Sequence, residues 1–230
     1  IVLDKEPANL KTINKNDSSL LKESKTLDNA LIRENFQRNF ALKKLHEVND
    51  NDLILINDLD EIPELKNFSY KNKITIFKQR MLYFKFNLVY KNLSWTGSKI
   101  CKKKDLISPQ WLRNIKTRKY PLWRLDIFFS KKKYNNIEII ENGGWHFTNI
   151  KTADEIHHKM KSFLHHFEYE NSGLNPEMIE KLIKDKKALY NYNADQRDNK
   201  WSNNTELEKI NLEFLPDYIN ENLDKYQNWL

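Results

Sequence analysis

Apolar residues along this chain switch between helical and strand spacing, and the switches mark its elements. Residues 1–4 (Ile-Val-Leu-Asp) read as a short first strand, and residues 10–28, polar and irregular, as a connector. Ile32, Phe36 and Phe40 then fall at four-residue steps, with Leu42 and Leu45 on the neighbouring stripe, which predicts a helix ended by Asn49-Asp50-Asn51-Asp52. Leu53–Ile56 is a continuous apolar run, the pattern of a parallel strand covered on both faces. Strand formers recur at Ile74–Phe77, over residues 83–90, around Trp95 and Ile100, and at Ile137–Ile140. Beyond Phe147 the spacing is helical. Thr152 and Glu155 form a capping-box pattern ahead of Ile156, Met160, Phe163, Leu164 and Phe167. Asn175-Pro176 opens a helix carrying Ile179, Leu182 and Ile183, and a last helix begins near Pro216. The order predicts an α/β fold, a mixed sheet with flanking helices and a helical C-terminal part. With no internal repeat or low-complexity linker, the expectation is a single domain over residues 1–230, sheet-rich over 1–150 and helical over 151–230.

Composition narrows the function classes. Lys and Arg number 39 against 32 Asp and Glu, a balance of +7, while 39% of the residues are hydrophobic and only 4 are Gly. Such a chain can build a core, and disordered and collagen-like classes are excluded. No apolar run approaches the roughly 20 residues of a membrane-spanning helix. The lone Cys101 excludes an internal disulfide and a cysteine-based zinc site. Together with the absence of a signal-peptide pattern it favours a cytoplasmic location, with the Golgi lumen open if an anchor lies upstream. The short clusters Lys102-Lys103-Lys104 and Lys131-Lys132-Lys133 read as solvated loops, so a nucleic-acid partner is not favoured.

Three stretches could carry chemistry. Asp58, Asp60 and Glu61 stand just beyond the C-terminal end of the Leu53–Ile56 run, where open α/β sheets bind ligands. Clustered like charges repel unless a cation or donor groups meet them, and Mg²⁺ or Mn²⁺ commonly takes one or two carboxylates together with substrate phosphates. A plain acidic turn uses the same letters. The second stretch is Gly143-Gly144-Trp145-His146-Phe147, which follows a strand. An imidazole there could ligate a metal, donate to a phosphate or act as a base, and a satisfied histidine in a hairpin turn is the competing reading. In the third, Trp95-Thr96-Gly97-Ser98 with Tyr83 upstream, an aromatic beside a small turn could stack a sugar or base, or pack as ordinary strand. Walker, Rossmann, nucleophile-elbow and His-Glu-x-x-His patterns are all missing.

Taken with residues 33–38 (Arg-Glu-Asn-Phe-Gln-Arg) and 159–163 (Lys-Met-Lys-Ser-Phe), the Asp58-Leu59-Asp60-Glu61-Ile62-Pro63 and Gly-Trp-His blocks resemble glycosyltransferase family 17, the family of the bisecting β-1,4-N-acetylglucosaminyltransferases. The resemblance implies a GT-A-like nucleotide-sugar-binding fold and a divalent cation, Mn²⁺ or Mg²⁺, holding the diphosphate of UDP-GlcNAc. By position it implies Asp60 as principal metal ligand, Asp58 near metal or ribose, His146 on metal or diphosphate, and Trp145 beside the donor. It further implies an inverting transfer to a glycan acceptor, needing a carboxylate base for which Asp126 and then Glu141 are the candidates. Members of that family begin with a strand and a Glu-x-Asn-x-Thr-like segment, so the expectation is that this first strand lies outside the sequence. The alternatives are a basic nucleic-acid-associated protein, or a glycan-binding protein without transferase activity.

Overall fold

The computed structural model describes residues 3–121, 123–162, 166–194, 199–201 and 205–230. Its elements in chain order are α1 (Ser19–Phe40), β1 (Leu53–Ile56), β2 (Glu61–Pro63), β3 (Ile74–Phe77), β4 (Gln79–Tyr83), β5 (Leu88–Trp95), β6 (Lys99–Lys102), α2 (Pro109–Asn114), β7 (Ile137–Ile140), β8 (Gly144–Thr148), α3 (Ala153–Lys161), α4 (His166–Ser172), α5 (Pro176–Lys184), β9 (Leu207–Lys209), α6 (Asp217–Asn220) and α7 (Leu223–Tyr226). The protein is mixed α/β, with one sheet ordered β1-β6-β3-β7 and another ordered β2-β8-β4-β5-β9. Among the described residues no helix is long and apolar enough to cross a membrane.

The chain forms two compact units. The first comprises residues 1–56, 70–76 and 99–139. Its core gathers Ile74 and Ile76 of β3, Cys101 of β6, Trp111 and Leu112 of α2, and Ile137 of β7. Two expectations change here. Helix α1 begins inside the supposed connector, where the Ser18 hydroxyl accepts from the Leu21 amide at 3.3 Å. Leu20 and Leu21 on its first turn are exposed, so this stretch has no apolar stripe for a reader to find. Strand β1 is also not a parallel strand covered on both faces. It lies at the sheet edge, antiparallel to β6, with Leu53 exposed. Leu3 and Asp4 have no regular structure, and residues 1 and 2 lie outside the described residues.

The second unit comprises residues 57–69, 77–98 and 140–230. Its sheet pairs β2 with β8 and β4 with β5 in antiparallel fashion, and β4 with β8 in parallel. Alternation along β4 divides the core between the two faces. Met81 and Tyr83 pack with Ile156 and Met160 of α3 and Ile179 of α5, whereas Leu82 packs with Trp145, Leu215 and Ile219. The strand expected over 83–90 is broken by a turn, because Phe84 takes φ +65° while its ring is buried. The capping box forms as expected: Glu155 accepts from the Thr152 amide at 2.9 Å, and Thr152 accepts from the Glu155 amide at 3.3 Å. Asn175 caps α5, accepting from the Met178 amide at 2.9 Å. Residues 163–165, part of the helix expected after Thr152, lie outside the described residues.

Candidate functional site

The site of the second unit is built on the β2–β8 pair. Asp58-Leu59-Asp60-Glu61 is a tight turn closed by the Glu61 amide donating to the Asp58 carbonyl at 3.1 Å, and the Asn57 amide group braces it by donating to the Asp58 and Glu61 carbonyls. The turn is docked on β8, where the Phe147 amide donates to the Asp60 carbonyl at 2.8 Å and Glu61 stands in register with His146. Gly144 permits this close pairing. It holds φ +131°, and a Cβ there would stand 2.2 Å from the Ile62 carbonyl oxygen.

The three carboxylates separate into different roles. Asp58 and Asp60 line a cavity of about 350 Å³, while Glu61 turns away from it and is 1% exposed. Its carboxylate accepts from Trp95 Nε1 at 2.6 Å, the Asp58 amide at 3.0 Å and Ser98 Oγ at 3.4 Å. Gly97 leaves room for this group, since a Cβ there would lie 1.7 Å from Glu61 Oε1. Trp95, so oriented, stacks on His146 with ring centres 4.6 Å apart and planes 13° apart. Thr148 Oγ1 contacts His146 Nδ1 at 3.1 Å, leaving Nε2 facing Asp60 Oδ2 at 3.5 Å. Glu61 therefore positions Trp95, and through it the imidazole, without entering the cavity.

A lysine and an asparagine complete the polar side. Lys159 of α3 donates to Asn149 Oδ1 at 3.1 Å, and Asn149 Nδ2 donates to Tyr83 Oη at 3.2 Å. Asn149 holds φ +54°, a left-handed conformation that asparagine adopts more readily than most residues. Burial pushes the Asp60 carboxyl up, but the hydrogen bond and charge of His146, its own backbone and the Lys159 ammonium outweigh this, and it titrates below its ordinary 3.8. Lys159 is pulled below its ordinary value by burial, which the charge of Asp60 only partly offsets. The rest of the wall is largely aromatic: Tyr83, Tyr190, Tyr192 and Trp201 line it with Trp95. Tyr190 meets Tyr192 and Trp201 edge-on, with ring centres at 4.9 and 5.0 Å.

The structure brings Asp58, Asp60 and His146 to one cavity and leaves the other expected residues elsewhere. Trp145 does not line this cavity: alternation along β8 sends it to the opposite sheet face, where it packs on Leu82 and Leu215 and its Nε1 donates to the Phe214 carbonyl at 2.6 Å. Glu141 is exposed and pairs with Lys78 at 2.7 Å. Asp126 belongs to the first unit, where Arg124 takes both its oxygens at 2.8 and 2.9 Å and Lys133 adds a contact at 2.6 Å. Those two cations hold its carboxyl well below the usual range, which weakens it as a proton acceptor. Lys159 carried a readable signal, sitting three residues after Ile156 on the inner stripe of an amphipathic helix. Tyr190, Tyr192 and Trp201 carried none, because their stretch has no period.

Among the described residues no three His, Cys, Asp or Glu side chains converge as a ready metal cage. Of the cavity's acids and imidazole, Asp60 and His146 face each other at 3.5 Å, and Asp58 lines the same cavity. Hard divalent cations commonly take only one or two protein carboxylates together with phosphate oxygens and water. No family model, curated protein or solved structure matches the chain.

Proposed function

We propose that the protein is a metal-dependent inverting glycosyltransferase of GT-A-like fold, which moves a sugar, N-acetylglucosamine from UDP-GlcNAc, to a hydroxyl of a glycan acceptor in β linkage. The observation that carries this reading is the presence of Asp58 and Asp60, from the turn that leads into β2, and His146 of β8 at one aromatic-walled cavity. Asp58, Asp60 and His146 would hold Mn²⁺ or Mg²⁺, which supplies Lewis-acid stabilisation of a leaving diphosphate. Lys159, beside Asp60, adds a cation for phosphate oxygens. Trp95, Tyr192 and Trp201 offer planar faces of the kind that stack sugars and bases. The volume of about 350 Å³ falls in the range of small-ligand pockets.

The decisive experiment is thermal denaturation with UDP, with and without Mn²⁺. A ligand at about a hundred times its Kd stabilises the native state by roughly 2.7 kcal/mol, about 5–10 °C for a chain of this size. Wild type is expected to show this rise only with Mn²⁺, and Asp60→Ala to lose it. A rise that persists in Asp60→Ala or in excess EDTA overturns the reading. Turnover then tests the two candidate bases: loss of transfer with Mn²⁺-dependent UDP binding retained in Asp126→Asn or Glu141→Gln identifies that residue as the base, and transfer retained in both excludes them.

A further inference from the structure

The +7 of this chain is concentrated in one place. Residues 116–133 carry seven basic side chains, Lys116, Arg118, Lys119, Arg124 and the run Lys131-Lys132-Lys133, against the single acid Asp126. Seven against one leaves +6 in this segment of the first unit and +1 in all the rest. The same segment holds four large apolar side chains turned to solvent: Trp123 is 78% exposed, Leu125 72%, Phe128 69% and Phe129 90%. Four such groups within seven residues form a patch that a soluble surface does not ordinarily carry without a use.

The described residues of the segment are held by backbone turns and anchors. Successive turns run through it, with Arg124, Ile127, Phe128 and Ser130 each donating a backbone hydrogen bond to the residue three before. Ile127 is buried and anchors the turn from which Leu125 and Phe128 project. Trp111 Nε1 donates to the Lys131 carbonyl at 2.6 Å and the Lys116 amide to the Lys132 carbonyl at 2.8 Å, pinning the returning strand of the loop. Arg118, Arg124 and Lys133 gather over the ring of Tyr120 at 4.8 to 5.7 Å, in the same segment as the exposed apolar side chains.

We propose that this segment docks the protein on an anionic lipid bilayer, with Trp123, Leu125, Phe128 and Phe129 entering the interfacial layer and the surrounding Lys and Arg side chains meeting the headgroups. Exposed aromatic side chains in a strongly basic segment match that boundary, where the ring sits among headgroups and the charge stays wet. Charge complementarity decides between occupants. A second copy of the chain would bring another +6 against the first, and a nucleic-acid backbone would satisfy the lysines but leave Leu125 and the Phe128-Phe129 pair facing water. The proposal does not depend on the cavity of the second unit.

The test is co-sedimentation of the full chain with vesicles of phosphatidylcholine alone or mixed with phosphatidylglycerol. Each basic side chain brought to an anionic surface strengthens partition about fivefold. Wild type is expected to pellet with the mixed vesicles and at least about tenfold more weakly with phosphatidylcholine alone. Phe128→Ser/Phe129→Ser and Lys131→Glu/Lys132→Glu should each lose about tenfold or more, with far-UV circular dichroism and melting temperature unchanged because all four side chains are exposed. Tryptophan fluorescence should be quenched by brominated lipid in wild type and not in Trp123→Ser. Wild type staying in solution with the mixed vesicles overturns the proposal. So does pelleting that Phe128→Ser/Phe129→Ser leaves intact, tighter binding to single-stranded RNA than to the vesicles, or a concentration-dependent dimer abolished by the same variant.

Discussion

Asp60 and Glu61 are neighbours in the chain with opposite tasks. Asp60 faces the cavity and His146, whereas Glu61 is buried behind it as the acceptor for Trp95, Ser98 and the Asp58 amide. An amide in place of the Glu61 carboxylate would set a donor against donors. Glu61→Gln should therefore cost about 2–3 kcal/mol in chemical denaturation and weaken Mn²⁺-dependent UDP binding, since a buried unsatisfied group costs about 1–3 kcal/mol. An unchanged denaturation midpoint would show that this carboxylate does not organise the turn. Burial also decides the behaviour of Cys101, whose thiol it pushes up to about 12, with Asp105 adding to the effect and Lys73 opposing it. Native protein should leave a thiol reagent unconsumed at pH 8 and consume one equivalent after unfolding, which absorbance follows directly. That these residues matter was legible as an acidic turn and a single cysteine. Which acid faces a ligand was not, because a turn and a register across β8 set the direction of each side chain.

Among the elements, α3 joins the clearest local signal to the site. Its capping box fixes the first turn, Ile156 and Met160 bury one face, and Lys159 reaches Asn149 from the same helix. Thr152→Ala should lower stability by about 1 kcal/mol, a fall of about 2–4 °C in Tm, and Thr152→Ser should restore most of it. A Tm equal to wild type in the alanine variant would mean that packing alone holds the helix. Caps at Thr152 and Asn175 could be read in advance because their donors and acceptors lie three residues apart. The turn at Phe84 could not. A phenylalanine at φ +65° is held there by the packing of its buried ring, and no turn residue announces it.

For the whole molecule the organising fact is how often the chain passes between the two units, five times along its length. Neither unit is a continuous stretch. In the second, β8 and β9 reach β2, β4 and β5 only through strands contributed by residues 57–98. Residues 140–230 expressed alone should show no cooperative unfolding by circular dichroism, because β8 and β9 would be left with unpaired edges and half a core. A cooperative transition from that fragment would refute the interleaved organisation. By itself the sequence determined the helices with local caps, the strand-rich middle, the apolar runs, and the acidic turn and the Gly-Trp-His block as two separate motifs. Each of these is written in residues a few positions apart. Only the tertiary structure decided that Glu61 supports while Asp58 and Asp60 face the cavity, that Trp145 packs on the opposite sheet face from His146, and that Tyr190, Tyr192 and Trp201 close an aromatic wall. Those outcomes depend on strand register and on contacts across more than a hundred residues, which no local period encodes.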